Sequence, residues 1–119
     1  MLPSEHRLSD GASFRQTVRV GRRAGSRTLV VHLADEVDSS VGFPGPRVGF
    51  VVSKAVGNAV VRNRVKRRLR HLAREHVSSL PGSAVLVVRA LPAAGSASYS
   101  ELSADLARCL ARVRSEVTA

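Results

Sequence analysis

Apolar residues fall along this chain in three kinds of pattern. Strict alternation marks two segments. From Arg27 to Leu33, Leu29, Val31 and Leu33 share one face while Thr28, Val30 and His32 share the other, and from Arg47 to Ser53 the residues Val48, Phe50 and Val52 lie together. Both predict strands. Ala84 to Arg89 is instead a continuous apolar run, which predicts a strand buried on both faces or at the centre of a sheet. Helical spacing is the third pattern. At about 100° per residue Val61, Val65, Leu69 and Leu72 fall within one narrow arc, the apolar stripe of a docked helix. Leu102, Leu106, Cys109, Leu110, Val113 and Val117 form the stripe of a closing helix, with Ser98 and Glu101 spaced as a capping box ahead of it. Near the N-terminus, Ser9 or Asp10 can cap a helix through about Val20, with Phe14 and Val18 on one side, Arg15 and Arg19 beside them, and Gly21 ending it. Gly, Pro and Ser punctuate residues 35–46, 78–83 and 90–98 as loops. The order is helix, strands, helix, strand, helix, with no internal repeat. At 119 residues this fits one domain, residues 1–119.

Charge changes the picture at one place. Residues 54–76 hold eight of the nineteen Lys and Arg residues and a single acid, Glu75, whereas the rest of the chain holds eleven bases and eight acids, so most of the net +10 is local. On the helix that begins near Val61, Asn63, Lys66, Arg67, Arg70 and Arg74 fall roughly opposite the apolar stripe, with Arg62 on one flank and Arg64 and Arg68 on the other. One face folds and the rest is displayed. Surface helices usually alternate charge sign, and this one does not; like-charge repulsion along a helix is a cost that a polyanion relieves. Arg outnumbers Lys by seventeen to two. That favours forked, stackable cations suited to phosphate and base contacts, and it equally follows from a GC-rich codon pool. The lone Cys109 sits on the closing helix's apolar stripe and reads as a buried thiol. No run is long enough to span a bilayer and the first residues lack a signal-peptide core, which predicts a soluble, cytoplasmic protein.

Side-chain catalysis needs a convergent acid, base, nucleophile or metal set, and the inventory is thin. His71 and His76 are five apart among cations, poorly placed as metal ligands. Asp35, Glu36 and Asp38 cluster in a loop and read as solvated. The segment from Gly57 to Arg64 lacks the spaced glycines and the Lys-Ser/Thr of a phosphate loop. Gly57 and Asn58 read as a turn and an N-cap. No catalytic residue, no protein-bound metal and no organic cofactor is expected.

The stretch RVGFVVSKAVGNAVVRNRVKRRLR (residues 47–70) closely resembles the signature of the bacterial ribonuclease P protein component: a glycine-bearing strand, Ser-Lys, Gly-Asn-Ala, then Arg62, Asn63, Arg64, Lys66, Arg67 and Arg70. The likeness extends more weakly to Arg7, Leu8, Phe14 and the order of elements. It implies an α+β fold, a single-domain αβββαβα sandwich with a left-handed βαβ crossover around the basic helix, where general connection rules favour the right hand. It also implies the small subunit of an endoribonuclease whose RNA subunit, with Mg2+, removes the 5′ leader of precursor tRNA. The resemblance gives the RNA subunit Arg62, Asn63, Arg64, Lys66, Arg67, Arg68, Arg70 and Arg74, the residues Arg68 and Arg74 being extra cations. It gives the single-stranded leader a cleft between the sheet and the first helix, with Phe14, His32, Ser53, Lys54 and Asn58, since unpaired bases stack on flat side chains. Three positions depart from the family pattern: Val18 replaces a usual aromatic, His32 stands where an aromatic often occurs, and Ala55 follows Lys54 where a second lysine is common. Phe14 reads equally well, on periodicity, as a core residue. A general ribosomal or structured-RNA-binding protein fits the basic helix and the size. A stand-alone nuclease would need clustered carboxylates or a His pair.

Overall fold

The computed structural model describes residues 19, 21–34, 46–80 and 84–115. Four strands, β1 (Arg22–Gly25), β2 (Leu29–Ala34), β3 (Arg47–Val51) and β4 (Val85–Ala90), form one sheet in the order β1-β2-β4-β3. β1 and β2 are an antiparallel hairpin, β2 pairs antiparallel with β4, and β3 runs parallel to β4. Parallel neighbours need a long crossover connection. Here it is the basic helix α1 (Ala59–His76), preceded by a 3-10 turn at Lys54–Val56 and followed by another at Val77–Ser79. A third 3-10 turn, Pro92–Gly95, leads from β4 to the closing helix α2 (Tyr99–Ser115). The apolar run of residues 84–89 is thus a central strand, as its composition requires. Apart from Arg19, the N-terminal helix expected over residues 9–20 lies outside the described residues, as do the acidic loop and Val117.

One face of the sheet holds the main core. Leu29, Val31 and Leu33 of β2, Leu86 and Val88 of β4, Val48 of β3 and Ala24 of β1 meet Val65, Leu69 and Leu72 of α1 and Leu102, Leu106, Leu110 and Val113 of α2, all buried in one cluster. Both predicted stripes therefore dock, and α1 buries Ala73 as well. Each such Leu contributes roughly 1.5–3 kcal/mol on burial.

Two expected boundaries need correction, and one strand had no pattern of its own. β2 begins at Leu29 rather than Arg27 because residues 26–28 form the hairpin turn, closed by the Ser26 amide on the Leu29 carbonyl at 2.9 Å, and the Thr28 amide and hydroxyl donate to the Asp105 carboxylate of α2, at 3.3 and 2.6 Å. β3 stops at Val51, short of Ser53, where the chain turns into the 3-10 turn. β1 was not visible as a pattern, since RRAG offers one apolar residue. It exists through its pairing with β2 and the Arg22 Nε bond to the Val113 carbonyl at 2.8 Å.

Candidate RNA interface

The basic helix is built from its N-terminus. Asn58 caps it: its Oδ1 accepts the Val61 amide at 3.0 Å, and its carbonyl accepts the Arg62 amide at 2.9 Å. Gly57 precedes the cap because a Cβ there would lie 2.8 Å from Cγ1 of Val61. The chain then leaves α1 through His76 with Arg74 in the last turn, where cations complement the helix dipole. With Val65, Leu69, Leu72 and Ala73 buried, Asn63, Arg64, Arg67, Arg70, His71 and Arg74 stand exposed, while Arg62, Lys66 and Arg68 are half-buried along the flanks. Lys66 therefore shares the flank of Arg62 and does not stand opposite the stripe.

Among the described residues α1 carries no ion pair; Glu75, the only acid within reach by sequence spacing, makes none. Two of its arginines instead bind the polypeptide. Arg64 Nη2 donates to the Gly95 carbonyl and Arg68 Nη1 to the Ala97 carbonyl, each at 3.2 Å. These bonds hold the 92–98 loop against α1 and fix two guanidinium forks that retain further N–H donors. Gly95 is required at this contact, since a Cβ would overlap the Val56 carbonyl oxygen of the first 3-10 turn. The bonds from Arg64 and Arg68 could not be foreseen, because they depend on where a distant loop lands.

The opposite face of the sheet carries the second set of candidates. Register places Arg23, His32, Val87 and Gly49 in one row across all four strands, and Gly25, Val30, Arg89 and Val51 in the next. His32 is buried, at 6% exposure, with Nδ1 lacking a partner. Burial first, then the charges of Arg23 and Arg89, hold its imidazole below the ordinary value of 6.5. Arg23 and Arg89 are exposed and Arg47 is buried. Sequence reading missed all three; the alternation of Val85, Val87 and Arg89 was the available signal for one of them. Ser53, Lys54 and Asn58 are exposed in the connection between β3 and α1, not beside His32, and the Asn58 oxygen is occupied as the cap. Phe14 lies outside the described residues.

A further cleft, of about 490 Å3, lies between the β1–β2 turn and α2, lined by Arg27, Glu101, Asp105, Arg108 and Arg112 among others. Both of its acids are paired, Glu101 with Arg27 at 3.0 Å and Asp105 with Arg108 at 2.8 Å, and Arg112 donates to the Gly25 carbonyl at 3.2 Å. Cys109 is buried beneath it, and burial pushes the thiol up. No described helix is long and apolar enough to cross a membrane.

Comparison with known proteins agrees with this geometry. The family model "Ribonuclease P" matches residues 2–114. The chain is 70% identical over 118 residues to the ribonuclease P protein component of Nocardioides sp., covering 99% of both chains, and 53% identical over 117 residues to that of Streptomyces griseus, covering 95% of both. The structure is similar to that of the Staphylococcus aureus RNase P protein, with a TM-score of 0.75, 27% sequence identity, and 91% of this chain and 96% of that one covered. A four-stranded sheet backed by two amphipathic helices, one of them cationic, together with these likenesses, shows that the chain belongs to the ribonuclease P protein component family.

Proposed function

We propose that this chain, as the protein subunit of ribonuclease P, holds the RNA subunit on α1 and receives the 5′ leader of precursor tRNA on the opposite face of the sheet, where the exposed Arg23 and Arg89 flank the buried His32. The observation that carries this reading is the uncompensated arc of Arg64, Arg67, Arg70 and Arg74 on an ordered helix. Fixed cations that replace condensed counterions along an RNA backbone gain affinity from the ions released. The two surfaces lie on opposite faces of one sheet, so both RNAs can be held at once. Bond cleavage, in this reading, belongs to the RNA subunit with Mg2+ bound to it. The described side chains do not fit that ion: no three His, Cys, Asp or Glu residues converge, and Glu101 and Asp105 are committed to Arg27, Thr28 and Arg108. The protein's part is to bind and position both RNAs, broadening the range of substrates cut.

The test is precursor tRNA cleavage by a bacterial ribonuclease P RNA at low magnesium, with and without this protein, and by the protein alone. The expected result is efficient cleavage at the mature 5′ end only with RNA and protein together. Specific cleavage by highly purified protein alone would overturn the assignment of catalysis. A protein that binds the RNA without altering cleavage would be a general RNA-binding protein.

A further inference from the structure

The chain has three Phe, one Tyr and no Trp. Among its described residues one aromatic side chain, Tyr99, is exposed, at 38%. It does not stand alone. Its ring lies 6.1 Å from that of His71 on α1, tilted by 54°, within the range of aromatic pairs. His71 is itself exposed and borders Arg67 and Arg68 on the helix surface, so a pair of aromatic rings adjoins the cationic arc.

The position is held rigidly from three directions. Arg68 grips the Ala97 carbonyl two residues before Tyr99. The Ser98 amide donates to Glu101 at 3.2 Å while the Glu101 amide donates to Ser98 Oγ at 3.1 Å, a complete capping box around the first turn of α2. His71 then abuts the ring from the neighbouring helix. A ring fixed in this way loses little entropy when a ligand covers it. Tyrosine at the first helical position contributes little to helix propensity and here contributes little to the core. What a preorganised, half-exposed ring beside guanidinium groups fits is the face of an unpaired nucleobase whose phosphates those groups hold.

We propose that Tyr99, with His71, is a stacking platform for an unpaired base of the same RNA that α1 holds by its phosphates. This rests on the reading of α1 as the RNA-subunit surface and adds to it a source of selectivity. Phosphate contacts are blind to sequence and pairing. A stacking platform beside them selects a bulge, loop or single-stranded end over continuous duplex.

The experiment uses the full chain with ribonuclease P RNA and a duplex RNA of equal length. Tyr99→Leu keeps apolar bulk and removes the aromatic face. It should weaken binding to ribonuclease P RNA by about 5- to 150-fold, the range for one base leaving an aromatic ring, and leave duplex binding unchanged. The slope of log affinity against log salt should stay at the parental value, since no phosphate contact is lost. Tyr99→Phe should bind like the parent. Tyr99→Trp supplies a lone indole whose emission should be quenched by ribonuclease P RNA and not by the duplex, a readout that does not depend on the stability of the Leu variant. Parental affinity for Tyr99→Leu, a fall in its salt slope, or equal quenching by both RNAs would each overturn the platform while leaving α1 as the RNA surface. If the parent fails to bind ribonuclease P RNA, the reading of α1 falls and the platform with it.

Discussion

α1 and α2 are nearly equal in length, 18 and 17 residues, and both bury a Leu-rich stripe in the same core. They differ in what they do with charge. α2 carries Glu101 and Asp105 with Arg108, Arg112 and Arg114, and its acids are spent inside the fold: Glu101 on Arg27 and its own cap, Asp105 on Thr28 and Arg108. Arg112 and Arg114 also bond to the protein, to the Gly25 carbonyl and to Ser79 Oγ, each at 3.2 Å. α1 carries seven Lys and Arg and one Glu, with no ion pair among the described residues. Two helices with one packing scheme thus divide the work. In α2 polar groups fasten the fold, whereas in α1 only Arg64 and Arg68 are seen to do so and the other cations are displayed without an acidic partner among the described residues.

The strongest way to break this contrast is to strip α1. Replacing Arg64, Lys66, Arg67 and Arg70 with Ala should reduce the log–log salt slope of ribonuclease P RNA binding by roughly 0.7 to 0.9 per lost contact, with a large fall in affinity at low salt. A denaturant titration should show a folded protein that has lost no more than about 0.5–1.5 kcal/mol, from the Arg64 bond to the Gly95 carbonyl, because the buried stripe is intact. An unchanged salt slope in a folded protein would end the case for α1.

The reciprocal experiment is on α2. Asp105→Ala strands the Thr28 hydroxyl and amide in a buried site and should cost about 1–3 kcal/mol of stability, while RNA affinity of the folded fraction stays parental. The Thr28 hydroxyl bond, first among the causes, holds the Asp105 carboxyl below its ordinary 3.8. Its contribution to stability is therefore present above that value and is lost as acid protonates the carboxylate in the folded state. Thermal melts between pH 7 and pH 3 of parent and variant check both statements.

Smaller effects separate capping from RNA contact. Asn58→Ala and Ser98→Ala should each cost about 1 kcal/mol through a lost N-cap, measured by denaturant titration. Asn58→Ser keeps the cap, so weaker discrimination for leader-bearing over mature tRNA in that variant would reveal a direct leader contact at Asn58. The smallest expected effect is at His32. Because its folded value is lowered, the unfolded chain takes up a proton first, and stability should decline as pH falls below about 6.5, levelling once the folded imidazole also titrates. His32→Gln should flatten that decline. Leader bound at this face should raise the His32 value, a change visible by NMR titration.

Much of this contrast was legible in the sequence, for identifiable reasons. The stripe of α1, its Gly57–Asn58 entry, the β4 run and the Ser98–Glu101 box are each encoded within a few residues, and each appears as expected. What escaped depends on distant partners. β1 is a strand only because β2 lies beside it. His32 reads by alternation as lying on the face away from the main core, yet it is buried there beside a second small cluster of Ala34, Val85 and Val87 on the same face. The display of cations on α1 was readable as a wheel, but the turning of Arg64 and Arg68 toward carbonyls at 95 and 97 was not. Nor was the pairing of Tyr99 with His71, 28 positions apart in the chain.

The bonds from Arg64 and Arg68 to Gly95 and Ala97 also impose an order in time. β4, the central strand, is made after β1, β2, β3 and α1, and both of its pairings span long stretches of chain, Leu29 with Ala90 and Arg47 with Val85. Such non-local contacts form late and slowly. During synthesis, α1 therefore emerges with its apolar stripe uncovered and with Arg64 and Arg68 unanchored, and its cationic surface reaches its final shape only when residue 97 has joined the fold. The positions of these two guanidinium groups on α1 are thus completed by the chain's own last third.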